Sequence, residues 1–219
     1  MIPKIVWQTH ECSYDDLPDL YKGNSQTYKD LGWEYRYHSA LDRESFIAEY
    51  FPEYLHLYLH IGPGIYKSDL WRYLVLYKYG GFYADMDSRL IYDKDTPFDK
   101  SIHDPNATFN VVTDPKALFN NYAIICSENN IIMKDIVEAV TSKCQSFYNE
   151  PYKIFPHARW MVATGPEMYG SIINKHIEKI SYFYNPDDEV YDFAVRHYDD
   201  FKHQMDRDSV INFHIGLRY

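Results

Sequence analysis

The stretch Leu76-Tyr77-Lys78-Tyr79-Gly80-Gly81-Phe82-Tyr83-Ala84-Asp85-Met86-Asp87 decides how the chain folds. Ile65 to Tyr79 is long, rich in Leu and Tyr and closed by two glycines, which predicts a helix with its stop signal. Phe82-Tyr83-Ala84 then reads as a short buried strand that runs straight into two carboxylates. The Asp-x-Asp spacing alone says little. With 21 Asp among 219 residues, about two such pairs arise by chance. Three are present: Asp85/Asp87, Asp93/Asp95 and Asp206/Asp208. The last two lie in polar stretches and read as solvated turns. Asp85/Asp87 closes an apolar strand, where ionised carboxylates are costly unless something compensates them. Two like charges there ask for a cation such as Mg²⁺ or Mn²⁺, which takes oxygen ligands. The carboxyl end of a strand is also where open α/β sheets place their ligands. The plainer alternative is a pair of caps or salt-bridged surface acids.

Outward from this block, Asp69 and Arg72 lie three apart on one face of the preceding helix. Such a pair is usually a surface ion pair, but this helix turns at Gly80-Gly81 directly into the Asp85 strand. Lys4 to Thr9 is β-branched and aromatic, a first strand; Trp7 there reads by position as a core residue. Trp33 to His38 alternates aromatic and polar side chains, a half-buried strand. Ser39-x-x-Asp42 predicts a capping box opening a helix to about Phe51, and Gly62-Pro63-Gly64 a turn. Tyr122 to Cys126 reads as another strand and Ile131 to Cys144 as another helix. Thr164-Gly165-Pro166-Glu167 reads as a second cap with Pro in the first turn. Strands alternating with helices make the class α/β, in one domain spanning 1–219. His56 and His60, four apart in a Tyr/Leu-rich helix, lack a third ligand in sequence and read as packing or surface residues.

Composition limits the partners. A net charge of −10 repels polyphosphates, and no Lys/Arg cluster is present, so nucleic-acid binding is not expected. An aromatic share of 18 %, with 23 Tyr, suits grooves for polar ligands such as sugars. Three widely spaced Cys, without C-x-x-C, read as free thiols. The longest apolar stretch, Tyr73 to Tyr77, is far short of a membrane span. A cytoplasmic setting, in a bacterium or a virus-infected cell, is the expectation.

Lys67-Ser68-Asp69-Leu70-Trp71-Arg72-Tyr73 followed by Gly80-Gly81-Phe82-Tyr83-Ala84-Asp85-Met86-Asp87, with Ile2-Pro3-Lys4-Ile5 and Gln8-Thr9 before them, resembles the DXD-containing region of glycosyltransferase family 32. That family includes yeast α-1,6-mannosyltransferases and bacterial capsular sugar transferases. The same order of motifs is similar to the glucosyltransferase domain of the large clostridial toxins. The resemblance implies a GT-A fold, a single mixed sheet flanked by helices, that binds a nucleotide-sugar, UDP-linked, with Mn²⁺ or Mg²⁺. It implies sugar transfer to a glycan or glycoprotein acceptor with retention. It puts Asp69 and Arg72 on the donor sugar, Asp85 on ribose or sugar, Asp85 and Asp87 on the metal, and Trp7 and Thr9 beside the nucleotide, with Trp7 stacked on the base. His214, in Asn212-Phe213-His214, would complete the metal site; the family often has His-His and Ser-Trp there, and this chain has Gly216-Leu217-Arg218-Tyr219 instead. The alternatives are a nucleotide-sugar hydrolase or pyrophosphorylase, and a metal-dependent carbohydrate-binding module without catalysis. The chain is read as one domain, or as one domain of a larger polypeptide.

Overall fold

The computed structural model describes residues 1–91, 99, 102–113, 119–148, 156–176, 182–184 and 194–196. Its centre is a six-stranded mixed sheet made by β1 (Ile5–Thr9), β2 (Glu34–His38), β3 (Gly81–Ala84), β5 (Phe109–Thr113), β6 (Phe119–Cys126) and β7 (Tyr182–Tyr184). The spatial order is β2-β1-β3-β6-β5-β7. β1 runs parallel to β2 and β3, β6 antiparallel to β3 and β5, and β7 parallel to β5. A separate antiparallel ribbon of β4 (Arg89–Ile91) and β8 (Ala194–Arg196) was not anticipated from sequence. The helices are α1 (Asp19–Lys29), α2 (Ala40–Tyr50), α3 (Pro52–His60), α4 (Gly64–Tyr79), α5 (Ile131–Tyr148), α6 (Pro156–Thr164) and α7 (Pro166–Lys175).

Strand alternation divides the side chains between two cores. Trp7, Tyr83, Ile124 and Cys126 face one side and pack against helix residues such as Phe46, Leu70, Ile136 and Ile172. Val6, Phe82, Ala84 and Ile125 face the other, against Tyr28 of α1. The result is a sheet flanked by helices, as the sequence predicts. The Ser39 cap is present in both directions: Ser39 Oγ accepts from the Asp42 amide and the Ser39 amide donates to Asp42 Oδ2. The cap expected at Thr164 is not. Gly165 takes the N-cap position without a side-chain bond, and the Thr164 hydroxyl is used elsewhere.

The helix-to-strand turn depends on its two glycines. Gly80 and Gly81 have φ of 61° and 101°, conformations that residues with a Cβ rarely adopt. A Cβ on Gly81 would also lie 2.5 Å from the Ile5 carbonyl oxygen, in the parallel partner β1. This turn sets α4 against the sheet and delivers Asp85 at the carboxyl end of β3.

Candidate active site

α4 is amphipathic only in part: it buries Asp69 and Arg72 along with Leu70, Trp71 and Tyr73. Asp69 is 7 % exposed and Arg72 3 %, so this is no surface ion pair. Arg72 Nη2 lies 3.1 Å from Asp69 Oδ1 and 3.0 Å from Asp85 Oδ1. Arg72 Nη1 donates to the Asn121 carbonyl at 2.6 Å, and the guanidinium lies 4.5 Å over the Tyr83 ring. The three groups that the sequence places on adjacent elements therefore form one bonded cluster. Tyr83 also donates to Asp85 Oδ1, at 2.5 Å.

Asp69 is held from β6 and from α6. Asn121 Nδ2 donates to its Oδ1 at 3.1 Å, and Thr164 Oγ1 to its Oδ2 at 2.9 Å. Neither partner was found from sequence; both come from chain positions about 50 and 95 residues away, and only the strand order brings them in. Burial pushes the Asp69 carboxyl up to about 6, against the opposing charge of Arg72 and with the Asp85 charge adding to the rise. A carboxyl whose folded pKa exceeds its ordinary 3.8 binds its proton more tightly when folded. This contribution to stability is therefore largest in acid and is lost as pH rises from about 4 to about 6. Denaturant titrations between pH 4 and 7 are expected to show a shallower decline for Asp69→Asn than for the wild type; equal slopes would contradict the shift.

The backbone after β3 is pinned as well. Asp85 donates its amide to the Tyr122 carbonyl at 2.8 Å, and its own carbonyl accepts from Gln8 Nε2 at 3.2 Å and Ser88 Oγ at 2.5 Å. Asn24 Nδ2 of α1 donates to the Met86 carbonyl at 3.0 Å. Asp85 and Asp87 thus project from a turn fixed on both sides into a cavity of about 300 Å³, whose wall includes Thr9, Glu11, Arg72 and Asn121. Thr9 contributes a hydroxyl already engaged, donating to the His38 carbonyl at 2.6 Å and accepting from Arg43 at 2.7 Å. The carboxylate oxygens of Asp85 and Asp87 are the hard donors that Mg²⁺ or Mn²⁺ prefers, so the residues present fit such an ion. Among the described residues no cluster of three or more His, Cys, Asp or Glu groups forms a complete metal cage. His214, the third ligand expected from sequence, lies outside the described residues, as do Asp93/Asp95 and Asp206/Asp208.

Trp7 sits apart from this cavity. It is 1 % exposed, its indole N–H donates to the Gly80 carbonyl at 2.8 Å, and its ring stacks on Tyr79 at 5.6 Å. It borders a separate groove with Arg36 and His38, not the cavity that holds Asp85. A ring packed on this scale serves the core, which is what strand position alone suggests. Trp7→Ala should destabilise the fold by about 3–5 kcal/mol, measured by denaturant melts; unchanged stability with weakened nucleotide binding would restore the stacking role.

His56 and His60 are exposed on α3, their rings 4.3 Å apart. Cys126 and Cys144 are buried thiols, Cys144 pushed up to about 12 by burial. Among the described residues no helix is long and apolar enough to cross a membrane.

Comparison with known proteins bears on the sequence region and the fold. Residues 7–108, a little under half the chain, match the family described as glycosyltransferase sugar-binding region containing DXD motif. Inositol phosphoceramide mannosyltransferase 2 of Schizosaccharomyces pombe is 37 % identical over 89 residues, 40 % of this chain and 25 % of that protein. Initiation-specific alpha-1,6-mannosyltransferase of Candida albicans is 30 % identical over 93 residues, 39 % and 24 % respectively. The chain thus spans about a quarter of the length of these curated relatives. The solved structure of PaToxG glycosyltransferase superposes with a TM-score of 0.58 and 16 % identity, over 81 % of this chain and 70 % of that one. The fold is that of the GT-A glycosyltransferases.

Proposed function

We propose that this chain, which carries the DXD-containing sugar-binding region over residues 7–108, is a divalent-cation-dependent glycosyltransferase. It moves a sugar, with retention, from a nucleoside-diphosphate sugar, UDP-linked, to a glycan-bearing acceptor. The observation that carries this reading is the buried Arg72, which joins Asp69 of a helix to Asp85 of a strand end at the wall of one cavity. Among the described residues its Nε has no hydrogen-bond partner although it is buried.

Asp85 and Asp87, with His214 outside the described residues, would hold Mn²⁺ or Mg²⁺. Such an ion supplies a Lewis acid that offsets charge on the departing diphosphate. Arg72, with Nη2 committed to Asp69 and Asp85 and one Nη1 hydrogen to the Asn121 carbonyl, keeps one Nη1 hydrogen for a sugar or phosphate oxygen. Asp69 keeps the guanidinium in one orientation and is itself fixed by Asn121 and Thr164; it acts through Arg72, because both its oxygens already accept bonds. The turn bonds from Gln8, Asn24 and Ser88 hold the two carboxylates in place before a ligand arrives, so no reorganisation is needed at the moment of reaction.

The test is a panel of UDP- and GDP-hexoses with Mn²⁺ or EDTA, reading nucleotide release and sugar transfer. The names of the curated relatives make mannose the first sugar and inositol-containing glycolipids the first acceptors to include. Transfer that needs the metal supports the reading. Release without transfer to any acceptor points to a hydrolase, and tight binding without turnover to a carbohydrate-binding module.

A further inference from the structure

Arg43 of α2 is fully buried at the carboxyl end of β1. A cation on the wall of this cavity invites the role of a phosphate clamp, but its hydrogens are committed. Nε donates to Tyr58 Oη at 3.2 Å, Nη1 to Thr9 Oγ1 at 2.7 Å and to the His10 carbonyl at 3.3 Å, and Nη2 to the Glu11 carboxylate. A guanidinium has five N–H groups, and these bonds use four of them. What Arg43 does is hold Glu11.

Glu11 is held on a second side. Its carboxylate lies against Gly64, where an added Cβ would overlap it. Gly64 begins α4, whose first turn has no acidic residue of its own and whose N-cap, Pro63, offers no side-chain bond. The helix N-terminus favours a negative charge, and Glu11 supplies it from β1's end. The side chain is nevertheless 48 % exposed, and it lines the same cavity as Asp85, Asp87 and Arg72. It is a carboxylate fixed in position, neutralised by a buried partner, and open to ligand.

We propose that Glu11 accepts hydrogen bonds from the hydroxyl groups of a polyol bound in this cavity. An ionised carboxylate has only acceptor sites, so it pairs with sugar or inositol hydroxyls and not with the phosphate oxygens of the donor. The fixed placement between Arg43 and Gly64 lowers the ordering cost of that contact. The hydroxyls can come from the donor's sugar or from the acceptor, and the inference rests on the glycosyltransferase reading above.

Calorimetric titration of UDP and of the matching UDP-sugar, both with Mn²⁺, into wild type and Glu11→Gln separates the sources. A hydrogen bond to a charged group changes affinity by roughly tenfold to a hundredfold. If the donor sugar is the ligand, Glu11→Gln loses about that factor for the UDP-sugar and keeps UDP affinity. If the acceptor is the ligand, both affinities stay and KM for methyl α-mannoside or myo-inositol as acceptor rises by a similar factor. Gly64→Ala, favoured by helix propensity, pushes the carboxylate off its seat and should reproduce whichever loss is seen, even if Glu11→Gln folds poorly. Equal losses for UDP and UDP-sugar, or no change in any of these quantities, would overturn the proposal. Failure of the wild type to bind UDP at all would instead remove the glycosyltransferase reading.

Discussion

Arg72→Lys is expected to lower kcat/KM for sugar transfer at least a hundredfold. The lysine keeps the charge but has one nitrogen where arginine spans the Asn121 carbonyl with Nη1 and both Asp69 and Asp85 with Nη2. Those bonds fix Asp85 and the guanidinium against one another, and a misplacement of about 1 Å at such a site costs on the order of a hundredfold in rate. Because Arg72 is buried, some stability is lost with it, so melting temperature is read alongside. Donor hydrolysis without acceptor should fall in parallel, as the proposed donor role of Arg72 requires. Wild-type turnover in the Arg72→Lys protein would reduce the cluster to a structural ion pair.

Asp87→Asn is expected to abolish divalent-metal binding and to lower transfer by roughly a hundredfold to a thousandfold, the scale of losing one preorganised electrostatic contact. The amide keeps the shape of the carboxylate, and the turn around it is held by other groups: the bonds from Gln8, Asn24 and Ser88 all end on backbone oxygens. The fold should therefore survive, and with one charge fewer beside Asp85 the protein without metal should be no less stable. Mn²⁺ titration by calorimetry reads the first effect. Unchanged metal affinity in Asp87→Asn would sink the metal assignment.

The block from Asp69 to Asp87 was legible because everything it needs is local. Helix period puts Asp69 beside Arg72, Gly80-Gly81 ends the helix in a conformation that only glycine adopts readily, and an apolar strand leaves its charges at one end. The groups that hold this block in place are not local. Asn121 looks like any polar residue in a strand until β6 pairs with β3 and brings it under α4. Thr164 was misread for the same reason: the T-x-x-E pattern fits a cap, but the hydroxyl goes to a buried carboxylate 95 residues away, and Gly165 with Pro166 starts α7 without it. Arg43 is charged and in a helix, which suggests exposure, yet four acceptors from β1, the loop after it and α3 make full burial tolerable.

α1 carries little sequence signal, because Asp19 to Lys29 is mostly polar and contains Gly23; it is held by tertiary packing of Tyr21 and Tyr28. Trp7 shows the opposite case. Its strand position indicated the core, and the family resemblance indicated the nucleotide; the packing on Tyr79 and the bond to Gly80 agree with the position.

Asp85, Asp87 and Arg72 are proposed to form one metal-assisted site for a nucleoside-diphosphate sugar. Calorimetric titration of a UDP-sugar into the wild-type protein, with Mn²⁺ and then with EDTA, tests it most directly. Saturable binding is expected with Mn²⁺ and should weaken at least tenfold when the ion is removed, because carboxylates left without a cation repel the diphosphate. Equal affinity with and without the ion, or no binding under either condition, would contradict it.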